Sequence, residues 1–348
     1  MKILYAIQGT GNGHLSRARD IIPALKKHGD VDILISGIQA DVQLPFEIKY
    51  KLKGLSFVFG KKGGIDFVST YLKMDTKLLL KDIEQIPIEN YDLIFNDFEP
   101  VTAWACKQKN LECISLSHQS AVLAKNAPKP KKKDVLGKLV LKNYAPTTFQ
   151  YGFHFSEFDK NIFTPVIRKE VRDLSPVNNR YYTVYLPAYD DERLLKHLKN
   201  FKTVQWQVFS KHNKKVILDD NILIQPINNE KFLKSMESCT GVLCGAGFET
   251  PAEALFLGKK LMVIPMKSQY EQQCNAAALK EMGVPVINSL KKKHYQSIAD
   301  WINYGKTIPV NYPDNTEAII QKIIKDHFNQ KVYSPRFLQV DHLQMARI

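Results

Sequence analysis

Residues 241–282 limit the fold more strongly than any other part of the chain, because short apolar runs alternate there with helix-forming runs. Gly245, Ala246 and Gly247 separate the first apolar run from a helix that tolerates Pro251 in its first turn. The predicted elements are a strand at 241–244, a helix at 249–257, a strand at 260–265 and a helix at 270–282. This alternation predicts a parallel sheet in an α/β domain.

The turn between the first strand and the first helix can bind an anion. A strand that runs through small residues into a helix N-terminus leaves backbone N–H groups pointing outward, and these suit a phosphate or pyrophosphate. An ordinary αβ turn has the same local pattern, so both interpretations stay open on the turn alone. The candidate ligand-binding residues of this segment are Gly245, Ala246, Gly247, Phe248, Thr250, Glu253, Glu271, Gln272 and Asn275.

The N-terminus contains a second turn of this kind, rich in glycine. A strand at residues 2–7, a loop from Gly9 to His14, a helix and a strand at 31–36 predict a doubly wound domain. A dinucleotide fingerprint fits poorly, because Ser36 stands where an acidic residue is usual. His14 lies where the loop turns into the helix, and a neutral imidazole there could act as a general base. The alternative is that His14 caps the helix or contacts a phosphate.

Two further predicted strands end in polar residues, and open α/β sheets bind ligands at the carboxyl ends of their strands. Asp97 and Glu99 follow one of these strands. They could orient the histidine of the glycine loop or bind an acceptor hydroxyl, and they could equally cap the next helix. Of the two, Asp97 is the stronger candidate. His118 and Gln119 follow the next strand and are further polar candidates there.

The formal net charge of +14 suits nucleic acid, an anionic membrane surface or a polyanionic substrate. No recognisable nucleic-acid-binding pattern accompanies the lysines, so membrane surfaces and phosphorylated ligands rank above nucleic acid. Residues 55–59 predict a strand, and 66–86 predict a helix that suits either a bilayer contact or an ordinary core face. The sequence also predicts a solvated loop around Lys125, Lys129, Lys131, Lys132 and Lys133. This loop either only increases solubility or binds anionic lipid or an acceptor pyrophosphate.

The sequence favours a cytoplasmic protein, located at the inner face of the cytoplasmic membrane if the lysines bind lipid. The N-terminus enters a strand without a signal-peptide pattern, and no apolar run reaches membrane-spanning length. The five cysteines show no paired spacing and lie in apolar patterns. That usage is typical of reduced thiols.

Taken together, the ordered motifs resemble the donor signature of inverting GT-B glycosyltransferases of the family 28 and UDP-glucuronosyltransferase type. The nearest likeness is to the lipid II-forming GlcNAc transferases and to glycolipid synthases. The glycine loop also resembles theirs, with Asn12 in place of the commoner glycine, and residues 164–168 resemble their hinge, which ends in an arginine. The donor positions that carry the resemblance are Gly247, Glu253, Gly258, Pro265, Glu271, Gln272, Asn275 and Ala276.

This resemblance implies two Rossmann-like domains around a cleft: an acceptor domain at 1–162, a donor domain at 163–330, and a tail at 331–348 that crosses back. It implies transfer of a hexose-type sugar, with inversion and without a metal or other cofactor, from a nucleotide sugar such as a UDP-sugar. The acceptor is a hydroxyl, for example of a lipid or lipid-linked glycan. The implied contacts are Glu253 with the ribose, Glu271 and Gln272 with the sugar, Arg168 with the phosphates, and Gly11, Asn12 and Gly13 with a phosphate or the acceptor. The turn at 117–120 also resembles a turn of these enzymes, which implies that His118 and Gln119 lie on the acceptor side.

Two alternative functions stay open. A UDP-sugar epimerase shares the two-domain fold, although it would normally carry acidic catalytic residues around the cleft. A non-catalytic GT-B module would bind a nucleotide sugar or a partner without chemistry. His14 together with Glu253 and Gln272 favours an active enzyme over both.

Overall fold

The computed structural model describes residues 1–37, 44–54 and 76–332. The strand predicted at 55–59, residues 66–75 of the helix predicted at 66–86, and the tail beyond residue 332 lie outside these ranges. Within them the chain forms two sheets, each covered by helices on both faces.

The first sheet has seven strands in the order β3-β2-β1-β4-β5-β6-β7, and every pairing is parallel. Both faces of its strand at residues 2–8 are buried, which is why residues 3–7 form a continuous apolar run. Its elements are β1 (Lys2–Gln8), α1 (Asn12–Lys26), β2 (Asp30–Ser36), β3 (Tyr50–Leu52), α2 (Thr76–Gln85), β4 (Leu93–Asp97), α3 (Pro100–Gln108), β5 (Ile114–Leu116), α4 (His118–Leu123), α5 (Val135–Tyr144), β6 (Phe149–Phe153) and β7 (Ile162–Phe163).

The second sheet has six strands in the order β10-β11-β9-β8-β12-β13, and only β10 is antiparallel to its neighbour. Its elements begin with α6 (Lys169–Arg172), β8 (Tyr181–Tyr185), α7 (Asp191–Leu198), β9 (Gln205–Ser210), β10 (Ile217–Asp219), β11 (Ile222–Pro226) and α8 (Asn229–Ser238). They continue with β12 (Gly241–Gly245), α9 (Glu249–Phe256), β13 (Lys260–Ile264), α10 (Tyr270–Glu281), α11 (Tyr295–Tyr304) and α12 (Thr316–Val332).

The last described helix, α12, returns to the first domain and lies against α1. Lys27 Nζ lies 2.5 Å from Glu317 Oε2, and the Tyr151 hydroxyl lies 2.9 Å from His327 Nε2. The chain therefore already contacts the first domain before residue 331, where the sequence predicts the crossing tail to begin.

The predicted α/β alternation is confirmed, with two doubly wound, Rossmann-like sheets. In each sheet the strand order reverses beside the first strand, β1 or β8, and this reversal opens a crevice at the carboxyl ends. His14, Asp97 and Gly245 all follow or end strands next to these two reversals. No helix in the described ranges is both long enough and apolar enough to span a bilayer.

Candidate active site

His14 and Asp97 form a hydrogen-bonded pair at the carboxyl edge of the first sheet. Helix α1 begins after Gly11, whose φ of 110° lies in the left-handed region that favours glycine. His14 is in the first turn, and its Nδ1 lies 2.8 Å from Asp97 Oδ1. A carboxylate accepts, so Nδ1–H donates to it and the Nε2 lone pair faces the cleft. Nε2 lies 3.4 Å from Gln119 Nε2, which can donate to it.

Asp97 is fully buried and accepts hydrogen bonds from both His14 and Arg17. Burial by itself raises the pKa of Asp97, but the charge of Arg17 and the hydrogen bonds outweigh it and hold that pKa below its usual value. Glu99 has the other role that the sequence left open. Its carboxylate accepts from the backbone N–H groups of Val101 and Thr102 and so caps α3.

The two acceptor-side candidates contact the second domain. Gln119 Nε2 donates to Glu271 Oε2 at 3.0 Å. His118 is 2% exposed, its Nε2 lies 2.8 Å from Asn275 Oδ1, and its ring stacks on Phe248 with centroids 3.9 Å apart. Residues predicted for opposite substrates therefore meet across the cleft. The buried ring of His118 links the two domains, whereas Gln119 stays close to His14.

The predicted phosphate turn leads into a helix N-terminus that no side chain caps. Phe248 is the N-cap of α9 and makes no capping hydrogen bond. The N-caps of α1, α6, α10 and α11 also lack one, whereas side chains cap α3, α4, α5, α7 and α8. Asn275 Nδ2 donates to the Ala246 carbonyl at 3.1 Å, and Gln272 Oε1 accepts from Met266 N at 2.9 Å. Asn275 therefore holds the turn, Gln272 holds the segment after β13, and the first N–H groups of α9 receive no capping side chain.

Arg168 and Glu253, predicted to contact phosphate and ribose, form an ion pair with each other. Arg168 Nε donates to Glu253 Oε1 at 2.6 Å, and Arg168 Nη2 donates to Glu253 Oε2 at 3.0 Å. Both side chains are buried. Burial raises the pKa of Glu253 above its ordinary value, and the charge of Arg168 opposes that shift. Arg168 Nη1 also donates to Asn229 Oδ1 at 3.2 Å. An exposed linker arginine, the alternative role for Arg168, is excluded by this burial.

A cavity of about 500 Å³ connects these groups. Its walls include the glycine loop and His14 from the first domain, and the α9 turn, Glu253, Arg168, Glu271 and Gln272 from the second. Sequence reasoning missed most of the apolar end of the cavity, although Tyr185 and Phe209 end or nearly end β8 and β9, where ligands are expected. The unpredicted lining residues include Tyr185, Phe209, Lys211, Phe232 and Glu249.

Arg17 was also not predicted. Its three-residue spacing from His14 places both on one face of α1, and that spacing is the signal that could have revealed it. Its guanidinium donates to Asp97 and, with Nη1, to Glu249 Oε1 at 2.5 Å. Among the described residues, no group of three His, Cys, Asp or Glu could hold a metal ion. The expectation that transfer needs no metal stays a prediction.

The lysine-rich segment departs in part from the solvated loop that was predicted. Lys129 is partly buried, and its Nζ donates to the carbonyls of Val122 and Ala124, where α4 ends. The prediction is therefore wrong for this lysine, because the last carbonyls of a helix need donors and a lysine can supply them. The other four lysines of the run are exposed: Lys125, Lys131, Lys132 and Lys133.

Comparison with known proteins agrees with the fold. The family model described as glycosyl transferase family 1 matches residues 1–304. No curated protein matches this chain in sequence. Three solved structures are similar to it in fold, at identities too low to show more than the fold.

The first is MurG of Acinetobacter baumannii, with 14% identity, a TM-score of 0.56, and coverage of 93% of this chain and 99% of that one. The second is a UDP-glucosyltransferase from Polygonum tinctorium capable of glucosylating indoxyl, with 13% identity, a TM-score of 0.59, and coverage of 94% and 93%. The third is MnaA of S. aureus, solved with UDP, with 12% identity, a TM-score of 0.56, and coverage of 94% and 97%.

These matches confirm the resemblance to GT-B glycosyltransferases that the motifs indicate. The two parallel sheets, the cleft between them and the family match across most of the chain agree with one another. This chain is a glycosyltransferase with the GT-B fold, and it belongs to glycosyl transferase family 1.

Proposed function

We propose that the protein transfers a hexose-type sugar from a nucleoside-diphosphate sugar to a hydroxyl acceptor, with inversion and without a metal ion. One observation carries this proposal: His14, with its Nε2 lone pair facing the cleft, and the uncapped N-terminus of α9 line the same cavity. A base for the acceptor and a site for the leaving diphosphate are the two groups that such a transfer requires.

In the proposed reaction the acceptor oxygen attacks the anomeric carbon from the face opposite the diphosphate. The new bond joins acceptor oxygen to carbon, and the bond between the anomeric carbon and the phosphate oxygen breaks. His14 Nε2 takes the hydroxyl proton, and Asp97 stabilises the imidazolium through its 2.8 Å contact with Nδ1. The N–H groups at the start of α9 stabilise the charge on the leaving diphosphate.

The apolar end of the cavity supports a nucleotide as the donor. Tyr185, Phe209, Ile227 and Phe232 can pack against a base, while the α9 turn receives the phosphates. UDP is our preferred carrier, since MnaA of S. aureus, which has a similar fold, was solved with UDP. Both Glu253 oxygens accept from Arg168, so a ribose hydroxyl would share one oxygen or release Arg168 toward the phosphates.

An acceptor held at a lipid surface is the finer part of the proposal. Helix α5 exposes Val135, Leu136 and Leu139 at 74%, 58% and 56%, next to the exposed lysines at 131–133. An exposed apolar strip beside lysines suits an anionic bilayer. Leu141 of α5 packs with Tyr270 of α10. Because α10 carries Glu271 into the cleft, docking through α5 would hold the cleft near the lipid.

Calorimetry with UDP, GDP, dTDP, CDP, NAD and NADP tests the donor. We expect UDP to bind and Glu253→Ala to weaken that binding.

Release of UDP from UDP-GlcNAc, UDP-glucose, UDP-galactose and UDP-glucuronate tests the reaction. His14→Ala should bind UDP normally and lose release by about 10²–10⁴-fold. His28→Ala, outside the cavity lining, is the matched control. Binding of nicotinamide dinucleotides alone would overturn the proposal, and binding with unchanged His14→Ala activity would exclude His14 as the base.

Sedimentation with vesicles tests the lipid surface. Vesicles of equal phosphatidylglycerol and phosphatidylcholine should bind the protein, and vesicles of phosphatidylcholine alone should bind it weakly. Leu136→Ser combined with Leu139→Ser should abolish binding, and added salt should weaken it. Leu218→Ser is the control, because Leu218 is an equally apolar side chain, 75% exposed, in the other domain. Equal binding by both variants would overturn the proposed surface.

A further inference from the structure

Arg17 is a buried cation that contacts His14, the candidate base. Its residue exposure is 1%, and its Nη2 lies 2.8 Å from both oxygens of Asp97 and 3.3 Å from His14 Nδ1. Burying a guanidinium is costly unless carboxylates compensate it. Arg17 is compensated twice, because Nη1 lies 2.5 Å from Glu249 Oε1.

The second carboxylate belongs to the other domain. Glu249 is the first residue of α9, the helix whose N-terminus is proposed to receive the diphosphate. Its carboxylate lies against Gly13, where an added Cβ would be 2.5 Å from Glu249 Oε2. One guanidinium therefore joins the base pair of the first domain to the donor helix of the second, across 232 positions of sequence.

The charges of this cluster are unequal. Around His14 lie Asp97 on β4, Arg17 on α1, Glu249 on α9 and, beyond Gln119, Glu271 on α10. Arg17 offsets only one of the two carboxylates that it touches. The cluster therefore keeps a negative charge that can accommodate a proton arriving on His14.

We propose that Arg17 is a positioning residue that couples the donor helix to the base: through Glu249 and Asp97 it holds His14 in register with the diphosphate turn and balances the charge around it. This inference rests on the proposed transfer reaction. It assigns Glu249 a role beside the diphosphate without direct contact, because its carboxylate is held by Arg17.

Kinetics of Arg17→Met and Glu249→Gln test the inference, with Arg19→Met as control. Arg19 lies on the same helix and forms the more exposed ion pair with Glu170. We expect kcat of Arg17→Met to fall about 100-fold while UDP affinity changes less than about threefold, because misalignment affects the transition state more than donor binding. Glu249→Gln should lower kcat less, and Arg19→Met should leave it unchanged.

The pH dependence separates charge balance from simple support. Without Arg17, Asp97 holds a proton on His14 more strongly, so the acid limb of kcat/KM should move up by roughly one pH unit. Without the charge of Glu249, the limb should move down. NMR titration of the His14 ring should show the same opposite shifts without requiring turnover. If Arg17→Met does not fold, Glu249→Gln alone still decides the sign.

Unchanged acid limbs and ring titrations in both variants would overturn the inference, and so would an equal loss of kcat in Arg19→Met. If the wild-type protein transfers sugar and either of these results is found, only the role of Arg17 is overturned and the proposed function stands. Absence of UDP binding and of transfer in the wild-type protein would overturn the proposed function, and the coupling role with it.

Discussion

Arg168 and Glu253 form an ion pair that joins the start of the second domain to helix α9. Arg168 precedes the short helix α6, and Glu253 lies in the middle of α9, 85 positions later. Their two hydrogen bonds, 2.6 and 3.0 Å long, form a fork-to-fork ion pair in a buried place. The two side chains that the sequence predicts to contact phosphate and ribose therefore neutralise each other.

Arg168→Met should destabilise the protein by about 3–5 kcal/mol at pH 7, because it leaves the Glu253 carboxylate buried without its partner. Urea denaturation measures this loss. Arg180→Met, at an exposed position, is the control and should change stability by less than about 0.5 kcal/mol. Equal stability of the two variants would contradict a buried ion pair.

The loss in Arg168→Met should also depend on pH. Burial raises the pKa of Glu253 in the folded protein, and removing Arg168 takes away the charge that opposes this rise. The folded variant then binds a proton more readily than the unfolded chain, so its stability recovers as pH falls from 7 toward 5. A gap to the wild type that stays constant over this range would contradict the prediction.

Asp97→Asn should reduce stability at pH 7 and much less at pH 3. The pKa of Asp97 is held below its usual value, so its ionised form stabilises the fold above the ordinary aspartate pKa, and that stabilisation disappears as pH falls through the lowered pKa. Urea denaturation at pH 7, 5 and 3 checks this. The gap between wild type and variant should be constant from pH 7 to 5 and should narrow at pH 3.

Two glycine-to-alanine changes should affect different properties: one should lower turnover and the other should lower stability. In Gly13→Ala the new methyl meets the flexible end of Glu249, so stability should stay within about 1 kcal/mol while donor turnover falls at least about tenfold. In Gly152→Ala it meets the backbone at Ser117 O and, at 2.8 Å, Ala121 N, which cannot move cheaply. That variant should lose about 3 kcal/mol. Thermal denaturation and UDP release measure the two effects.

Lys259→Met should destabilise the second domain by about 2–4 kcal/mol. Lys259 is 4% exposed, and its Nζ donates to the carbonyls of Val177, Glu237 and Cys239 at 2.7, 2.6 and 3.0 Å. Methionine fills similar space but leaves three carbonyls without this donor. Lys202→Met, at an exposed lysine, is the control. Equal urea midpoints for the two variants would show that the carbonyls find other donors.

Local signals predicted the elements well. Helices α9 and α10 begin at the predicted residues, and each ends one residue before the predicted end. Helix starts and strand ends depend on neighbouring residues in the chain. Pro251 in a first turn or Gly245 at a strand end is therefore informative without any tertiary contact.

Side-chain partners were less accessible to prediction. The sequence favoured Asp97 over Glu99 but left both roles open, since both lie at the end of the same strand. Only the structure shows that Asp97 binds His14 and that Glu99 caps the next helix. Lys129 looked like its neighbours in the lysine run, yet it binds the carbonyls at the end of α4. Identical local patterns lead to different contacts once the chain is packed.

The sequence by itself determined the α/β class, the two glycine turns and the residue types gathered at the carboxyl ends of the strands, because periodicity and turn chemistry act over a few residues. The tertiary structure alone decided that Arg17 joins Asp97 to Glu249 and that Arg168 holds Glu253. Those partners lie 80 to 232 positions apart. Their pairing depends on how two sheets meet across a cleft, where burial makes each charge require a counter-charge.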